Sequence, residues 1–394
     1  MKRSEIRAVP TESAFAKSEY DARLARMRAA MRDADIEVLL LHSLPDICWL
    51  TGYQTPLADW YSCAIVPLQG EVVLQICDHE LAAMYTYVDT FLTVSWEDMD
   101  AAAAQLVSHL CTIGASAACI GVQPRRPGLL PFTEQALRTG LPGARLVDIG
   151  KLVLRLRAVK SEAEIACLRE AARLSTLGMR AAMASLRAGV TENDIVAAAM
   201  QAIAANGGEY FSIDPIVRSG PRSGVTHAMA KRRMVRPGDA ILMEIGAVYQ
   251  RYCAPLLRTA VIEKPNPQLQ QLADVSLAAM ELLFANLRAG RTAGDVASAA
   301  MKALSGLGPE VRMRGYFGYA VGIGFPPSWV ERSTEIAVGR GEMLEAGMTF
   351  HLHRVLRVPG VVGVGFSETA VITARGYELL TQYPRELVVI GDGD

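Results

Sequence analysis

The sequence predicts two domains: an α/β domain over residues 1–155 and an α+β domain over residues 156–394 that contains an internal duplication. Three observations predict this organisation. The chain has 394 residues, which is more than a single compact core usually holds. Strand-like and helix-like segments alternate through the first part, and one helical segment of the second part occurs twice.

The first domain shows alternating helix and strand patterns. An amphipathic helical pattern over residues 19–36 leads into the short apolar run 38–41, which is typical of a buried strand. The segments that follow predict a sheet covered by helices. The further predicted strands are residues 62–68, 71–76, 118–122 and 145–148, and the further predicted helices are residues 99–112 and 132–140.

The second domain begins with a helix start and then repeats itself. Ser161 and Glu164 form a capping-box pattern for a helix over residues 162–177. Segments 186–203 and 287–304 align without gaps at an offset of 101 residues and agree at 10 of 18 positions. Because strand-like runs follow each copy, we expect two similar halves related by a pseudo-two-fold axis, with a ligand cleft between them. Those runs are residues 240–247, 253–262, 348–355 and 368–373.

Composition narrows the class of partner. Forty basic and 41 acidic residues leave a formal net charge of −1, with no run of like charge. We therefore expect neither a nucleic acid nor a membrane surface as partner, and a small molecule as the ligand. No apolar stretch approaches the ~20 residues of a membrane-spanning helix. The seven cysteines show no CxxC pair, so we expect free, buried thiols and a cytoplasmic protein.

These features together resemble the pita-bread family, which includes creatinase, prolidase, aminopeptidase P and methionine aminopeptidase. The resemblance depends on WLTGY at 49–53, RLRAVKSEAEIACLREAA at 155–172, MEIGAVYQRYCAPLLRT at 243–259, and GMTF, ET and VIT within 347–373. His227 is also followed eleven residues later by Gly238 and Asp239. The resemblance implies a pita-bread fold for residues 156–394. It also implies a homodimer in which one subunit's N-terminal domain covers the partner's active site.

The metal ligands of this family are the most informative positions. Its peptidases bind two metal ions through two Asp, one His and two Glu side chains. By resemblance, and in chain order, these positions fall on Glu244, Pro255, Ala320 or Val321, His353, and Ser367 or Glu368. Proline, alanine and valine offer no side-chain ligand to a divalent cation. We therefore expect no metal and no other cofactor.

Within the family, ectoine hydrolase is the member that the sequence resembles most. Segments 207–220, 314–332 and 347–353 carry this resemblance, whereas creatinase has Asn and Glu at the positions of Glu244 and Leu257. The resemblance implies a metal-independent hydrolase that cleaves a C–N bond of ectoine or of an analogous cyclic amidine, amide or N-acyl amino acid. Two alternatives remain open: a metal-dependent Xaa-Pro dipeptidase or aminopeptidase, and a non-catalytic, ligand-binding homologue.

Two residues are expected to perform the reaction. Glu244 lies within the apolar run 240–246, where a carboxylate is costly to bury without a partner or a function. We interpret it as a nucleophile or base; the alternative is a strand residue that faces solvent or pairs with an arginine. His227 falls at the position of the family's proton-handling histidine, and imidazole titrates near neutral pH. We expect it to pass a proton to the leaving nitrogen; the alternative is an ordinary surface histidine.

The remaining candidates are expected to bind substrate. His351 and His353 face the same side of a predicted strand, so His351 is expected to contact substrate and His353 to fill the space of a lost Glu ligand. A metal site on this histidine pair is the alternative. Glu331 follows a proline-rich segment and is either a substrate contact or part of a surface turn. The resemblance adds Tyr53, Trp60, Tyr252, Arg258, Tyr319 and Glu368, and it places Trp60 and Tyr61 at the subunit contact.

Overall fold

The computed structural model of this chain describes residues 1–6, 9–95, 98–124 and 129–391. The chain divides into two compact units, Met1–Arg157 and Ala158–Asp394. Over the described residues, no helix has both the length and the apolar character needed to cross a bilayer.

The first unit is a mixed sheet with helices, as its alternating sequence pattern predicts. Its strands are β1 (Val38–Leu41), β2 (Cys63–Pro67), β3 (Val73–Ile76), β4 (Thr90–Thr93), β5 (Cys119–Val122) and β6 (Arg145–Asp148). Its helices are α1 (Lys17–Asp33), α2 (Leu44–Thr51), α3 (His79–Tyr85), α4 (Met99–Thr112), α5 (Pro131–Gly140) and α6 (Gly150–Ala158). The strand order is β4-β3-β2-β1-β5-β6, with β1 antiparallel to β2 and parallel to β5.

Helix α2 lies where the sequence pattern predicted no helix. Seven of its eight residues are buried, including Trp49 and Leu50 of the WLTGY motif. A helix that is buried all round shows no alternation of polar and apolar faces, so the periodicity of the sequence does not reveal it. It ends at Gly52, whose φ of 83° is the left-handed conformation common at helix C-termini.

The second unit contains one large sheet and four α-helices within its described part. Its helices are α7 (Glu162–Ala184), α8 (Glu192–Ala205), α9 (Pro267–Asn286) and α10 (Ala293–Met301). Its strands are β7 (Ile216–Ser219), β8 (Ala240–Tyr249), β9 (Tyr252–Ile262), β10 (Tyr316–Phe325), β11 (Ser328–Ala337), β12 (Thr349–Val358), β13 (Val362–Thr373), β14 (Gly376–Leu379) and β15 (Val388–Ile390). The order is β14-β13-β12-β10-β9-β8-β7, with β11 paired to β10 and β15 paired to β9.

The two repeated segments fold alike, which confirms the predicted duplication. Thr191 caps α8 by accepting a hydrogen bond from the backbone N–H of Asp194, and Thr292 caps α10 through Asp295 in the same way. Helices α7 and α8 pack against β8 and β9, whereas α9 and α10 pack against β12 and β13. Each half therefore covers the same side of the sheet with its own pair of helices.

The strands of this sheet also have a second face, opposite the helices. In β8, Ile241, Met243 and Ile245 belong to the core beneath α7 and α8. Because successive side chains of a strand point to opposite faces, Glu244 and Gly246 lie on the other face. We call this second side the open face of the sheet.

Candidate active site

The open face carries a cavity of about 370 Å³, which is at the small end of the usual range for ligand pockets. Strands β7, β8, β9, β10, β11 and β12 contribute to its wall, together with the loop that carries His227. Its polar and aromatic lining residues are Arg218, Thr226, His227, Glu244, Arg314, Tyr316, Tyr319, Ser328, Trp329, His353, Arg354 and Arg357.

Glu244 supplies the carboxylate of this lining. It pairs across the sheet with Ile216 and Leu257, two apolar residues that also line the cavity. Burial raises the pKa of Glu244 above its ordinary value, and the nearby positive charge of Arg218 offsets part of that rise. Among the described residues, no protein group donates a hydrogen bond to this carboxylate, so it remains available to a ligand.

His227 lines the same cavity from an exposed loop. Its φ of 57° is unusual for a residue other than glycine, so the loop holds this histidine in a strained backbone conformation. Partial burial lowers its pKa, and the positive charges of Arg314, Arg218 and Arg357 lower it further. At neutral pH the imidazole is therefore mainly uncharged and able to accept a proton.

A chain of hydrogen bonds fixes the aromatic wall of the cavity. Trp329 Nε1 donates to the Tyr319 hydroxyl at 2.8 Å, and that hydroxyl lies 2.9 Å from His351 Nδ1. His351 Nε2 lies 2.7 Å from Ser367 Oγ. Burial lowers the pKa of His351 to about 3, so its ring is neutral and accepts on one nitrogen while it donates on the other.

Gly246 shows how closely this wall packs. A Cβ at that position would lie 2.8 Å from the Trp329 ring, so the indole lies directly against the backbone of β8.

The expectation that His351 contacts substrate is wrong, because both of its ring nitrogens bond to protein groups and the ring does not line the cavity. It positions Tyr319, which does line the cavity.

His353 shares a face with His351, as the sequence pattern predicts, and reaches the cavity. The two ring centroids are 5.5 Å apart, and the Tyr316 ring lies edge-on to His353 at 5.4 Å. Burial, followed by the charges of its neighbours, lowers the pKa of His353 well below its ordinary value. Its Nδ1 is buried with no hydrogen-bond partner among the described residues, so a neutral ring is the stable form here.

The strand register decides which positions correspond to the family's metal ligands. Ser367 pairs with His353 and therefore shares the open face, whereas Glu368 pairs with Leu352 on the helix-covered face. Val321 packs with Trp329 near the cavity, whereas Ala320 belongs to the core beneath α9 and α10. The ligand positions on the open face are thus Glu244, Pro255, Val321, His353 and Ser367.

This donor set does not fit a two-metal centre. It offers one carboxylate, one imidazole and one hydroxyl, whereas hard divalent ions need several charged oxygen ligands. Across the described residues, no three His, Cys, Asp or Glu side chains come together as metal ligands.

Two further expectations about substrate contacts are corrected by buried ion pairs. Glu368 is 2% exposed, accepts a hydrogen bond from Arg258 Nη2 at 2.6 Å, and does not line the cavity. Glu331 accepts one from Lys160 Nζ at 2.7 Å, inside the protein, and is not the surface turn residue of the alternative interpretation. Both carboxylates and Arg258 therefore serve the fold, since their charges are already paired.

Tyr252 is also buried away from the cavity, because its hydroxyl bonds to Glu164 Oε1 at 2.9 Å. In the first unit, Tyr53 is 1% exposed and Trp60 is half-buried. Tyr61 donates to Gln75 Oε1 at 2.9 Å within that unit's core. Tyr61 is therefore a core residue and not the subunit contact that the sequence suggested.

Sequence reasoning did not single out the arginines of the cavity. Arg218 and Arg314 lie within segments that carry the ectoine hydrolase resemblance, and Arg357 lies near the end of β12. No periodicity distinguishes them from surface arginines. The one available indication was that Arg218 directly follows the apolar pair Ile216 and Val217 in β7.

The raised pKa of Glu244 predicts a pH-dependent stability. Because the folded state disfavours the ionised form, this residue's contribution is complete below its unfolded pKa and is lost as pH rises through the folded pKa. Glu244→Gln lacks this loss. We therefore expect its melting temperature, relative to wild type, to increase between about pH 5 and pH 8. The expected increase is roughly 2–4 °C for each kcal/mol by which the free energies of unfolding of the two proteins diverge.

Thermal melts of the two proteins at several pH values test this expectation. Glu345→Gln, which changes an exposed carboxylate outside the cavity, is the matched control and should show no such trend. A relative melting temperature that falls with pH would mean that ionised Glu244 stabilises the fold through Arg218.

Comparison with known proteins finds a family match for each of the two units. Residues 166–374 match metallopeptidase family M24, and residues 23–159 match the creatinase/prolidase N-terminal domain. Ectoine hydrolase of Halomonas elongata is 27% identical over 397 residues, covering 95% of this chain and 98% of that protein. An uncharacterised hydrolase/peptidase of Sinorhizobium fredii is 29% identical over 390 residues, with the same coverage.

Solved structures agree on the fold. The prolidase of Pyrococcus horikoshii OT3 superposes with a TM-score of 0.81 at 21% identity, over 93% of this chain and all of that one. The N-terminal domain of a FACT complex subunit from chickpea superposes with a TM-score of 0.75 at 16% identity, over 94% of this chain and 99% of that one. Proteins with very different names share this fold, so the likeness shows the architecture of the chain but not its reaction. The reaction has to be inferred from the residues of the site.

Proposed function

The chain belongs to metallopeptidase family M24, with a creatinase/prolidase N-terminal domain, and from this premise we propose that it is a metal-independent hydrolase. Its substrate is a small polar compound with a cleavable C–N bond: ectoine, or a related cyclic amidine, amide or N-acyl amino acid. The reaction resembles that of ectoine hydrolase, whose sequence aligns along nearly the whole chain. A cytoplasmic homodimer remains part of this proposal.

The main support for this proposal is the position of Glu244 in the cavity. It is the carboxylate of the cavity lining, it is flanked by apolar residues, and no described protein group occupies it with a hydrogen bond. A carboxylate in this setting is a strong nucleophile or base once it is ionised. A merely structural role would leave its desolvation uncompensated except through Arg218.

In the proposed reaction, Glu244 is the nucleophile and His227 transfers the protons. A Glu244 oxygen bonds to the electrophilic carbon, the C–N bond breaks, and the protonated form of His227, which is the minor form at neutral pH, gives its proton to the departing nitrogen. Water then attacks the acyl-Glu244 intermediate, restores the carboxylate and returns a proton to His227, so that one water is consumed per turnover. If Glu244 instead acts as a base, it takes a proton from the attacking water while protonated His227 gives its proton to the departing nitrogen, and the proton on Glu244 then returns to His227 without a covalent intermediate.

The main alternative is a metal-dependent Xaa-Pro dipeptidase or aminopeptidase, since the family takes its name from metallopeptidases. We expect purified protein to contain well under one equivalent of Mn, Zn, Co or Fe. Chelator should leave its activity unchanged, because Pro255 and Val321 occupy two of the five ligand positions. Elemental analysis with a chelator titration measures this. Two tightly held metals per chain, with activity lost to the chelator, would support the peptidase instead.

A further inference from the structure

In the described part of the chain, the arginines that line the cavity carry more positive charge than the one carboxylate of the lining can balance. Four arginines line it: Arg218, Arg314, Arg354 and Arg357. Arg354 is committed to the fold, because it donates to the backbone carbonyls of Arg314 and Tyr316 and stacks on a buried aromatic ring. The other three, Arg218, Arg314 and Arg357, do not make such a set of contacts, and we call them the arginine cluster.

Each member of the arginine cluster has unused donors or weak protein contacts. Arg218 is 3% exposed and donates from Nη1 to the Val225 carbonyl at 2.7 Å, while its buried Nε has no partner among the described residues. Arg357 reaches the Gly224 carbonyl only at 3.5 Å. No hydrogen bond or ion pair links the Arg314 side chain to another described group. A guanidinium carries five donors, so most of these remain available.

The members also lie close enough to repel one another. Arg314 lowers the pKa of Arg357, and Arg357 lowers the pKa of Arg218, in each case after the effect of burial. Glu244 offsets part of this charge at Arg218. Like charges held together in a partly enclosed space destabilise the empty protein, and an anion bound among them removes that repulsion.

The strand register places this charge beside the reacting carboxylate. Ile216 pairs directly with Glu244, and Arg218 lies two residues further along β7 on the same face. An anionic group bound by Arg218 therefore lies next to the position of attack. In a cavity of about 370 Å³, one small molecule can contact the cluster and Glu244 together.

We propose that Arg218, Arg314 and Arg357 form an anion-binding subsite, so that the substrate carries a carboxylate near its scissile C–N bond. This inference rests on the proposed hydrolase function. Planar guanidinium groups bind carboxylates through paired, charge-assisted hydrogen bonds, which fixes both the position and the orientation of the bound group. The subsite selects an N-acyl amino acid, or a cyclic amidine with a free carboxylate, over neutral amides of similar size.

The test compares a carboxylate with its neutral counterpart. Calorimetric binding of N-acetylalanine and N-acetylalaninamide is measured on Glu244→Gln, full-length, so that turnover does not interfere. We expect the carboxylate to bind at least about tenfold more tightly than the carboxamide. Raising the salt concentration should weaken only the carboxylate. Inorganic phosphate serves as a second anion that has no C–N bond.

Variants then assign the preference to the cluster. Adding Arg314→Gln and Arg357→Gln to that protein should reduce the preference for carboxylate to within about twofold, while Arg314→Lys with Arg357→Lys should keep part of it. The matched control is Arg312→Gln, which changes an exposed arginine two residues from Arg314 and outside the cavity lining. Melting temperatures show whether each variant is folded.

Failure of the subsite and failure of the hydrolase give different results. Equal binding of carboxylate and carboxamide, or a preference that survives loss of Arg314 and Arg357, overturns the subsite. So does phosphate binding without any preference for carboxylate. Carboxylate preference that depends on the cluster supports the subsite, even if wild type hydrolyses neither compound. In that case only the proposed hydrolysis of this N-acyl amino acid and its amide fails.

Discussion

Glu244→Gln is expected to fold, to bind substrate and to show no detectable turnover. Glutamine keeps the shape of the side chain but is neither a nucleophile nor a base at neutral pH. No second carboxylate lines the cavity within the described residues, and Leu257 faces Glu244 where creatinase is expected to carry its own Glu. His227→Ala should be slower than wild type by about 10²–10⁴-fold but measurable, because a lost general acid or base slows a reaction without removing its path.

Steady-state rates on ectoine and on N-acyl amino acids, with Glu345→Gln as the exposed control, measure this ordering. Mass spectrometry of His227→Ala mixed with substrate should detect an adduct on the peptide that contains Glu244, if the intermediate is covalent. Activity of Glu244→Gln within about tenfold of wild type would contradict a chemical role for this carboxylate. A wild type that binds but converts none of these compounds would favour a ligand-binding homologue.

Lys160→Met is expected to destabilise the protein by about 3–5 kcal/mol, because it removes the Lys160 cation from beside the buried Glu331 carboxylate. The side chains of this pair are each 1% exposed, and their charged atoms are 2.7 Å apart. Ser333 also donates to Glu331, but a hydroxyl carries no charge that could replace that of Lys160. Denaturant unfolding of the variant and wild type measures the difference.

The double variant Lys160→Met with Glu331→Leu should recover at least half of the lost stability, since it removes both charges. Arg340→Met, which breaks an exposed ion pair with Glu335, is the control and should cost less than about 1 kcal/mol. A Lys160→Met protein as stable as wild type would mean that Glu331 is not held as a buried ion there. Loss of turnover in the folded variant would return Glu331 to the substrate site, as the sequence first suggested.

Local patterns were sufficient for most of the architecture. The capping box at Ser161, the two capped helices of the repeat and the alternating strands are all set by neighbours within a few residues, and the structure contains them. Glu244 stood out because one charged residue interrupts an apolar strand. Burying a charged side chain costs free energy in any fold, so Glu244 could be identified as a candidate without knowledge of the tertiary structure.

The sequence by itself thus determined the two-unit fold and the duplication, which depend on short-range pattern. It left two of the family's five ligand positions open, each between two neighbouring residues. Only the tertiary structure decided which charged side chains are available to bind a ligand. Glu331, Glu368 and Arg258 find buried partners from distant strands or from the segment before α7, whereas Arg218, Arg314 and Arg357 converge on one cavity. The reason is physical: pairing depends on strand register and on contacts between residues far apart in the chain, and one residue's shift in register moves a side chain to the other face.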